Sequence, residues 1–335
     1  MKMDNVSTLN QPCHSNDIWF KLKNLPLKTT LTQPLMEKIQ KIPQQITKVG
    51  FDVDETISHM LGPHVEALEQ ITNEFERASK IPAQEIRESI ARVFEKHGTA
   101  DYHRLIQEMD CFNKVYQEKQ LGQEARDAMR DQLVEIGRDI FKKVRSNHDQ
   151  SVQGVEPVLK ALNDHDIECF AFSNGPIYRV LDRVKRAQLA DYFKLILGLR
   201  DQADDVFPDL MKIKMALGEY EGDYKWRVAE TPKPNANLAE MLEISPEEVR
   251  DHVAFVGDSY SNDMGLAMNN GCVGFHAKYG KLDPFIRHRL RQFSTEKLEA
   301  RFREGGKIKK ANGEKANIHE LNKPSDLLRY LGIRK

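Results

Sequence analysis

A chain of 335 residues with 50 Lys and Arg against 51 Asp and Glu carries a formal charge of -1, so no global field directs it to nucleic acid or to another bulk-charged partner. The cysteines Cys13, Cys111, Cys169 and Cys272 stand far apart with no CxxC pair, which argues against a zinc site or disulfide framework and fits a reducing cytosol. No apolar run reaches membrane-spanning length and residues 1–10 lack the hydrophobic region of a signal peptide, so a cytoplasmic location without a membrane partner is expected.

Residues 1–46 read as a polar N-terminal extension with one short helix near 35–42 and an aromatic pair, Trp19-Phe20, expected to pack. A buried strand over 48–53 follows, and the polar Asp54-Glu55-Thr56 forces the chain out of the sheet. From 62 to 150 the pattern is helix after helix. Val65, Leu68, Ile71 and Phe75 share one face, Ile86, Ile90, Val93 and Phe94 a second, and Ala125, Met129, Leu133, Ile136, Ile140 and Val144 a third, with a weaker helix over 105–112. Pro63, Lys80-Ile81-Pro82 and His97-Gly98 punctuate this bundle.

Beyond Val155, strand and helix alternate: strands at 167–172, 195–197, 253–256 and 272–275, with helices at 158–162 and 177–189. With the strand at 48–53 these predict an α/β fold with a mostly parallel central sheet. Its first strand is cut off from its partners by the bundle, which is therefore an insertion. The expected organisation is a discontinuous core of 47–61 and 151–335 and an α-helical unit over 62–150. Accessory insertions are expected at 200–232, helical over 210–217, and at 280–317. The second is rich in Arg and Lys; we read it as a solvated helical face whose Phe285, Phe293 and Phe302 pack onto the core.

Chemistry-bearing residues fall at strand ends, where open α/β sheets bind their ligands. Asp52 and Asp54, one residue apart, close the first strand; ionised carboxylates there need a cation or hydrogen bonds to compensate them. Ser173-Asn174-Gly175 ends the second strand in a hydroxyl and a tight turn. Lys233-Pro234 precedes a helix, and Gly257-Asp258 with Asp263 follows a further apolar strand. Taken singly, Ser173 is a turn hydroxyl, Lys233 a surface lysine and Asp258 a helix start; their order and strand context together carry the weight.

These pieces resemble the magnesium-dependent phosphatases of the haloacid dehalogenase-like (HAD) superfamily, over about 48–279 plus a final strand and helix near 318–331. The resemblance implies a Rossmann-like core with the first strand central and the bundle as a helical cap. It also implies an Asp52 nucleophile forming an aspartyl phosphate, and Asp54 as proton donor to the leaving oxygen and then base for water. Mg²⁺ would be held by Asp52, Asp258, the Asp54 carbonyl and Asp263, directly or through water. Ser173, Asn174 and Lys233 would bind the phosphate.

Asp54 sets the chain apart from dehalogenases and phosphonate hydrolases of the superfamily, which lack that acid. A phosphomutase, or a phosphate-binding regulatory protein without turnover, shares the remaining features. A large cap favours a small phosphorylated metabolite over a macromolecule, and His103 or Arg104, in the polar loop 96–104, is the expected substrate reader. Nucleic acid is not an expected partner, and no oligomeric state follows.

Overall fold

The computed structural model describes residues 45–97, 104–146, 148, 151–200, 225–295 and 317–333. The expected helices at 35–42 and 210–217, Trp19-Phe20, His103 and Phe302 lie outside the described residues, as do nearly all of the N-terminal extension and most of the basic residues of 280–317.

Strands β1 (Lys48–Phe51), β2 (Glu168–Pro176), β3 (Leu195–Leu199), β4 (Lys225–Ala229), β5 (Val253–Gly257), β6 (Val273–Ala277) and β7 (Ile318–Leu321) form one sheet in the order β4-β3-β2-β1-β5-β6-β7. Every pairing is parallel, which makes this a Rossmann-like α/β fold. β1 is central, and the order reverses between it and β5, so the crevice beyond their carboxyl ends is the place where a ligand fits.

Alternation of side chains along the strands builds two cores. Val49, Phe51, Cys169, Ala171, Ala254 and Val256 pack with α6 (Val155–Asn163), α7 (Ile177–Arg186) and α12 (Asp326–Tyr330). Phe170, Phe172, Val253 and Phe255 join the opposite cluster, with α8 (Leu238–Leu242), α9 (Pro246–His252) and α10 (Gly265–Asn270). On that face β1 places Gly50 among the rings, and its missing side chain is filled by its neighbours: a Cβ there would stand 2.3 Å from Phe170 Cζ and 2.6 Å from Phe255 Cδ2. Gly50→Ala is therefore expected to cost about 1–3 kcal/mol by overpacking. Urea denaturation checks this, and an unchanged midpoint would contradict the packing described.

Between β1 and α6 run α1 (Leu61–Ser79), α2 (Ala83–His97), α3 (Leu105–Glu108), α4 (Phe112–Glu118) and α5 (Gln123–Ser146). They enclose an apolar cluster of their own, into which the stripes of α1 and α2 are fully turned. The single helix expected over 105–112 is two. Met109 is extended, and the backbone amides of Asp110 and Cys111 turn to Ser89 Oγ at 2.9 and 3.3 Å instead of continuing the helix. The third stripe is shallower than its pattern implied: Leu133 and Val144 are buried, but Ala125 is exposed. α5 instead approaches closely at buried Gly137, whose absent Cβ leaves room for Ile106.

Two further expectations need correction. The stretch 200–232 ends in β4, the sheet's edge strand, so its last part belongs to the core sheet. The aromatics of 280–317 do not all pack onto the core: Phe285 is 66% exposed, and Phe293 is buried in the bundle's cluster. Ile286 and Leu290 of α11 (Pro284–Arg291) pack there too, and Arg289 forks onto Glu69 of α1, its Nε at 2.8 Å. The chain leaving β6 thus reaches across to the helical layer before returning as β7.

Candidate active site

β1 delivers Asp52 to the sheet's rim, where its backbone amide donates to the Val256 carbonyl of β5 at 2.8 Å. The turn that follows is held by its own side chains. Thr56 Oγ1 donates to Asp52 Oδ2 at 3.3 Å and accepts from the Asp258 amide at 3.0 Å, joining the loops after β1 and β5. Glu55, in the left-handed region at φ 61°, accepts from the amides of Met60 and Leu61 at 2.9 and 2.7 Å, satisfying donors that the start of α1 leaves open.

Lys233 lies in the centre, 5% exposed, its ammonium 2.5 Å from Asp52 Oδ1 and 2.6 Å from Asp263 Oδ1. The rings of Phe172 and Phe255 flank it at 5.5 and 5.4 Å, a cation–π setting that keeps water away. Asn174 fixes the Lys233 backbone from both sides, accepting from its amide at 2.8 Å and donating to its carbonyl at 3.3 Å. Asp263 is oriented by the Ser259 amide at 2.9 Å, against Gly257, where a Cβ would fall 2.3 Å from the Asp263 carboxylate. Burial lowers the Lys233 pKa, but Asp263 and Asp52 more than offset it, leaving the ammonium above the usual lysine range.

Asp52, Asp258 and Asp263 present carboxylate oxygens within 4.8 Å of one another. Three acids against one ammonium leave two negative charges when all are ionised. Burial, with Lys233 opposing and Asp263 and Asp54 adding, pushes Asp52 up to about 7. Burial, with Asp52 and Asp263, pushes Asp258 up to about 9. A cluster of hard oxygen donors, crowded and two charges short of neutral, fits one divalent cation of the Mg²⁺ type.

Asp54 points to a different set of partners. Ser173 Oγ donates to it at 3.2 Å, and Arg183 Nη1 reaches both its oxygens at 2.8 and 2.7 Å. Ser173, Lys233, Asp258, Asp263 and the Asp52/Asp54 pair thus meet at one rim, as the strand-end reading required, and the exposed Asn174 serves there as a clamp on Lys233. Arg104 is half-buried immediately ahead of α3. Arg183, Thr56, Glu55 and Tyr279 were not foreseen. Arg183 lies 129 residues from Asp54, at the flank of the apolar stripe of α7, and nothing local marks it. Tyr279 is drawn in electrostatically: burial first, then Asp258 and Asp52, push its phenol well above the usual tyrosine range.

No family model matches the chain. A phosphoglycolate phosphatase of Vibrio vulnificus is 26% identical over 237 residues, 71% of this chain and 86% of that protein. Among solved structures, a HAD phosphatase from Thermococcus onnurineus overlays with TM-score 0.45 at 19% identity, covering 86% of this chain and 98% of that one. A putative HAD-hydrolase from Bacillus subtilis bound to magnesium overlays with TM-score 0.42 at 17% identity, covering 86% and 100%. The sequence relative is a phosphatase, and the parallel sheet carries acids, hydroxyl and lysine at its rim in the order that the resemblance to haloacid dehalogenase-like phosphatases implies; the chain is similar to that group in sequence and in fold.

Proposed function

We propose that this protein is a Mg²⁺-dependent phosphomonoester hydrolase acting on a small phosphorylated metabolite through an aspartyl phosphate on Asp52. The observation that carries the reading is the placement of Lys233 between Asp52 and Asp263, within a carboxylate cluster completed by Asp258. Asp52 is the nucleophile: its Oδ attacks phosphorus in line with the ester oxygen, the P–O bond to the alcohol breaks, and the acyl phosphate remains. Lys233 and Ser173 meet the non-bridging oxygens, whose charge would otherwise repel the attacking carboxylate. Asp54, held by Arg183 and Ser173, takes a proton from the water that cleaves the acyl phosphate and delivers it to the alkoxide that departs in the next turnover. Asp52 and Asp258, the Asp54 carbonyl and Asp263 would hold the ion. When bound, Mg²⁺ supplies the charge that lets carboxylate and phosphate approach.

α1 to α5 act as the cap that closes over this rim and excludes bulk water. Glu55 ties the catalytic turn to the start of α1, so cap position and the setting of Asp54 are linked. The test is phosphate release by the purified chain from a panel of small acid, sugar and nucleotide monophosphates with Mg²⁺ present; silence across the whole panel would sink the reading.

Metal binding has a pH signature. Folded-state pKa values near 7 for Asp52 and 9 for Asp258 lie above the ordinary 3.8. The metal-free fold therefore holds protons that the unfolded chain has released, and it loses stability as pH rises through this window. Mg²⁺ engages the ionised acids. Its addition is expected to raise Tm by an increment that grows from pH 5 to 8, reaching the equivalent of about 2.7 kcal/mol at 100 times Kd. Differential scanning fluorimetry reads this directly, and an increment flat in pH would contradict it.

A further inference from the structure

Ser173 is buried at the rim with one proton to give. Its Oγ accepts from the Gly175 amide at 3.1 Å and donates to Asp54 Oδ2 at 3.2 Å. A hydroxyl has two acceptor lone pairs but a single O–H. When Ser173 meets a phosphate oxygen, as the proposed function requires, Asp54 loses that donor. Among the described residues the Asp54 carboxylate has one other hydrogen-bond partner, Arg183, whose Nη1 lies 2.8 and 2.7 Å from its two oxygens. Arg183 is 8% exposed. A Cβ on Gly175 would lie 3.4 Å from Arg183 Nη1 and 3.5 Å from Ser173 Oγ, so turn, hydroxyl and guanidinium are neighbours. A guanidinium stays charged and its planar donors fix an acceptor in direction.

We infer that Arg183 is a positioning residue for the reaction: once a substrate phosphate draws the Ser173 proton away, Arg183 is what holds the Asp54 carboxylate to the water of the second step. The inference rests on the phosphatase reading above and concerns the order in which that site works. Phosphate arrival acts on both halves of the reaction through one hydroxyl. The Ser173 O–H turns to a non-bridging oxygen, and Asp54 Oδ2 gains a lone pair free to accept from water. In the hydrolytic step the water oxygen bonds to phosphorus and the P–O bond to Asp52 breaks. One water proton passes to Asp54, the other stays on the phosphate, and Asp52 recovers its carboxylate. Without the guanidinium Asp54 has no fixed direction, and a misplacement of about 1 Å at a reacting group costs about 10²-fold. Lysine keeps the charge but offers it as a point charge on a flexible stem.

The experiment uses the full chain with Mg²⁺ and 4-nitrophenyl phosphate, whose phenolate departs without a proton, so that Asp54 is needed for the water alone. Rapid mixing follows nitrophenolate release in the wild type, Arg183→Lys, Arg183→Met, Asp54→Asn, and Arg183→Met combined with Asp54→Asn. In Arg183→Met, kcat should fall about 10²-fold with KM falling alongside it, after a burst approaching one nitrophenolate per chain as the acyl phosphate accumulates. Arg183→Lys should lie between that variant and the wild type. Added to Asp54→Asn, Arg183→Met should slow turnover by less than about 2-fold, since a group that acts through Asp54 has nothing left to position. A purely structural ion pair slows both backgrounds alike, and an Arg183 that binds phosphate raises KM. Either result overturns the assignment, as does full activity in Arg183→Met. Should Arg183→Met fail to fold, the same cycle run with Arg183→Lys decides between these outcomes. Failure of the phosphatase reading itself shows elsewhere, as absence of phosphate release from every ester by the wild-type chain.

Discussion

Asp52→Asn is expected to lower phosphate release by about 10⁴-fold or more while leaving the fold intact. Asn keeps the shape and can still meet Lys233 and Thr56, but its amide is not a nucleophile toward phosphorus. The accompanying stability is the discriminating part. Burial disfavours the Asp52 charge in the metal-free protein, so the neutral amide should leave Tm unchanged or raise it when no metal is present. Its Mg²⁺-induced increment in Tm should shrink, since one carboxylate of the cluster is gone. Lost activity with retained Tm marks a chemical role. A variant that unfolds, or one that keeps full activity, would show that Asp52 is structural. Steady-state phosphate release and scanning fluorimetry on the same preparation settle the point.

Lys233→Met should produce the largest change in stability. The methionine can fill the space between Phe172 and Phe255, but Asp52 and Asp263 are left facing each other, buried, without their shared counterion. Removing one partner from a buried ion pair costs about 3–5 kcal/mol, and at about 2–4 °C per kcal/mol for a chain of this size class Tm should fall by roughly 6–20 °C. Mg²⁺ should recover part of the loss, because it supplies positive charge to the same acids, but it should not restore turnover. An unchanged Tm would mean that Lys233 does not compensate the cluster.

What could be read from residues alone was whatever repeats locally. The strand-ending acids, the Ser173 turn, Lys233 and the Gly257-Asp258 loop each sit in a short apolar context, and the sheet brings them together because β1, β2 and β5 are adjacent and parallel. The stripes on α1 and α2 were legible for the same reason, since 3.6-residue periodicity reports burial within one element. The misses have physical causes. β4 reads poorly because an edge strand is half-exposed: Trp226, Arg227 and Val228 are all only partly buried, and no apolar run announces them. The break at Met109 and Asp110 depends on Ser89, 21 residues earlier, whose hydroxyl competes for the helix amides. The docking of α11 on α1 depends on Phe293 and on the Arg289–Glu69 pair, 220 residues apart in the chain. Arg183 is the most instructive case, because a cation on a helix flank looks solvated until the fold shows which carboxylate it meets.

The measurement that tests the central claim most directly is acid quenching of the wild-type chain during turnover of a small phosphate ester with Mg²⁺, followed by peptide mapping by mass spectrometry. The account predicts phosphate on the peptide that contains Asp52, absent when EDTA replaces Mg²⁺ and absent in Asp52→Asn. Steady turnover with phosphate on another residue, or with the same label formed in EDTA, would contradict it.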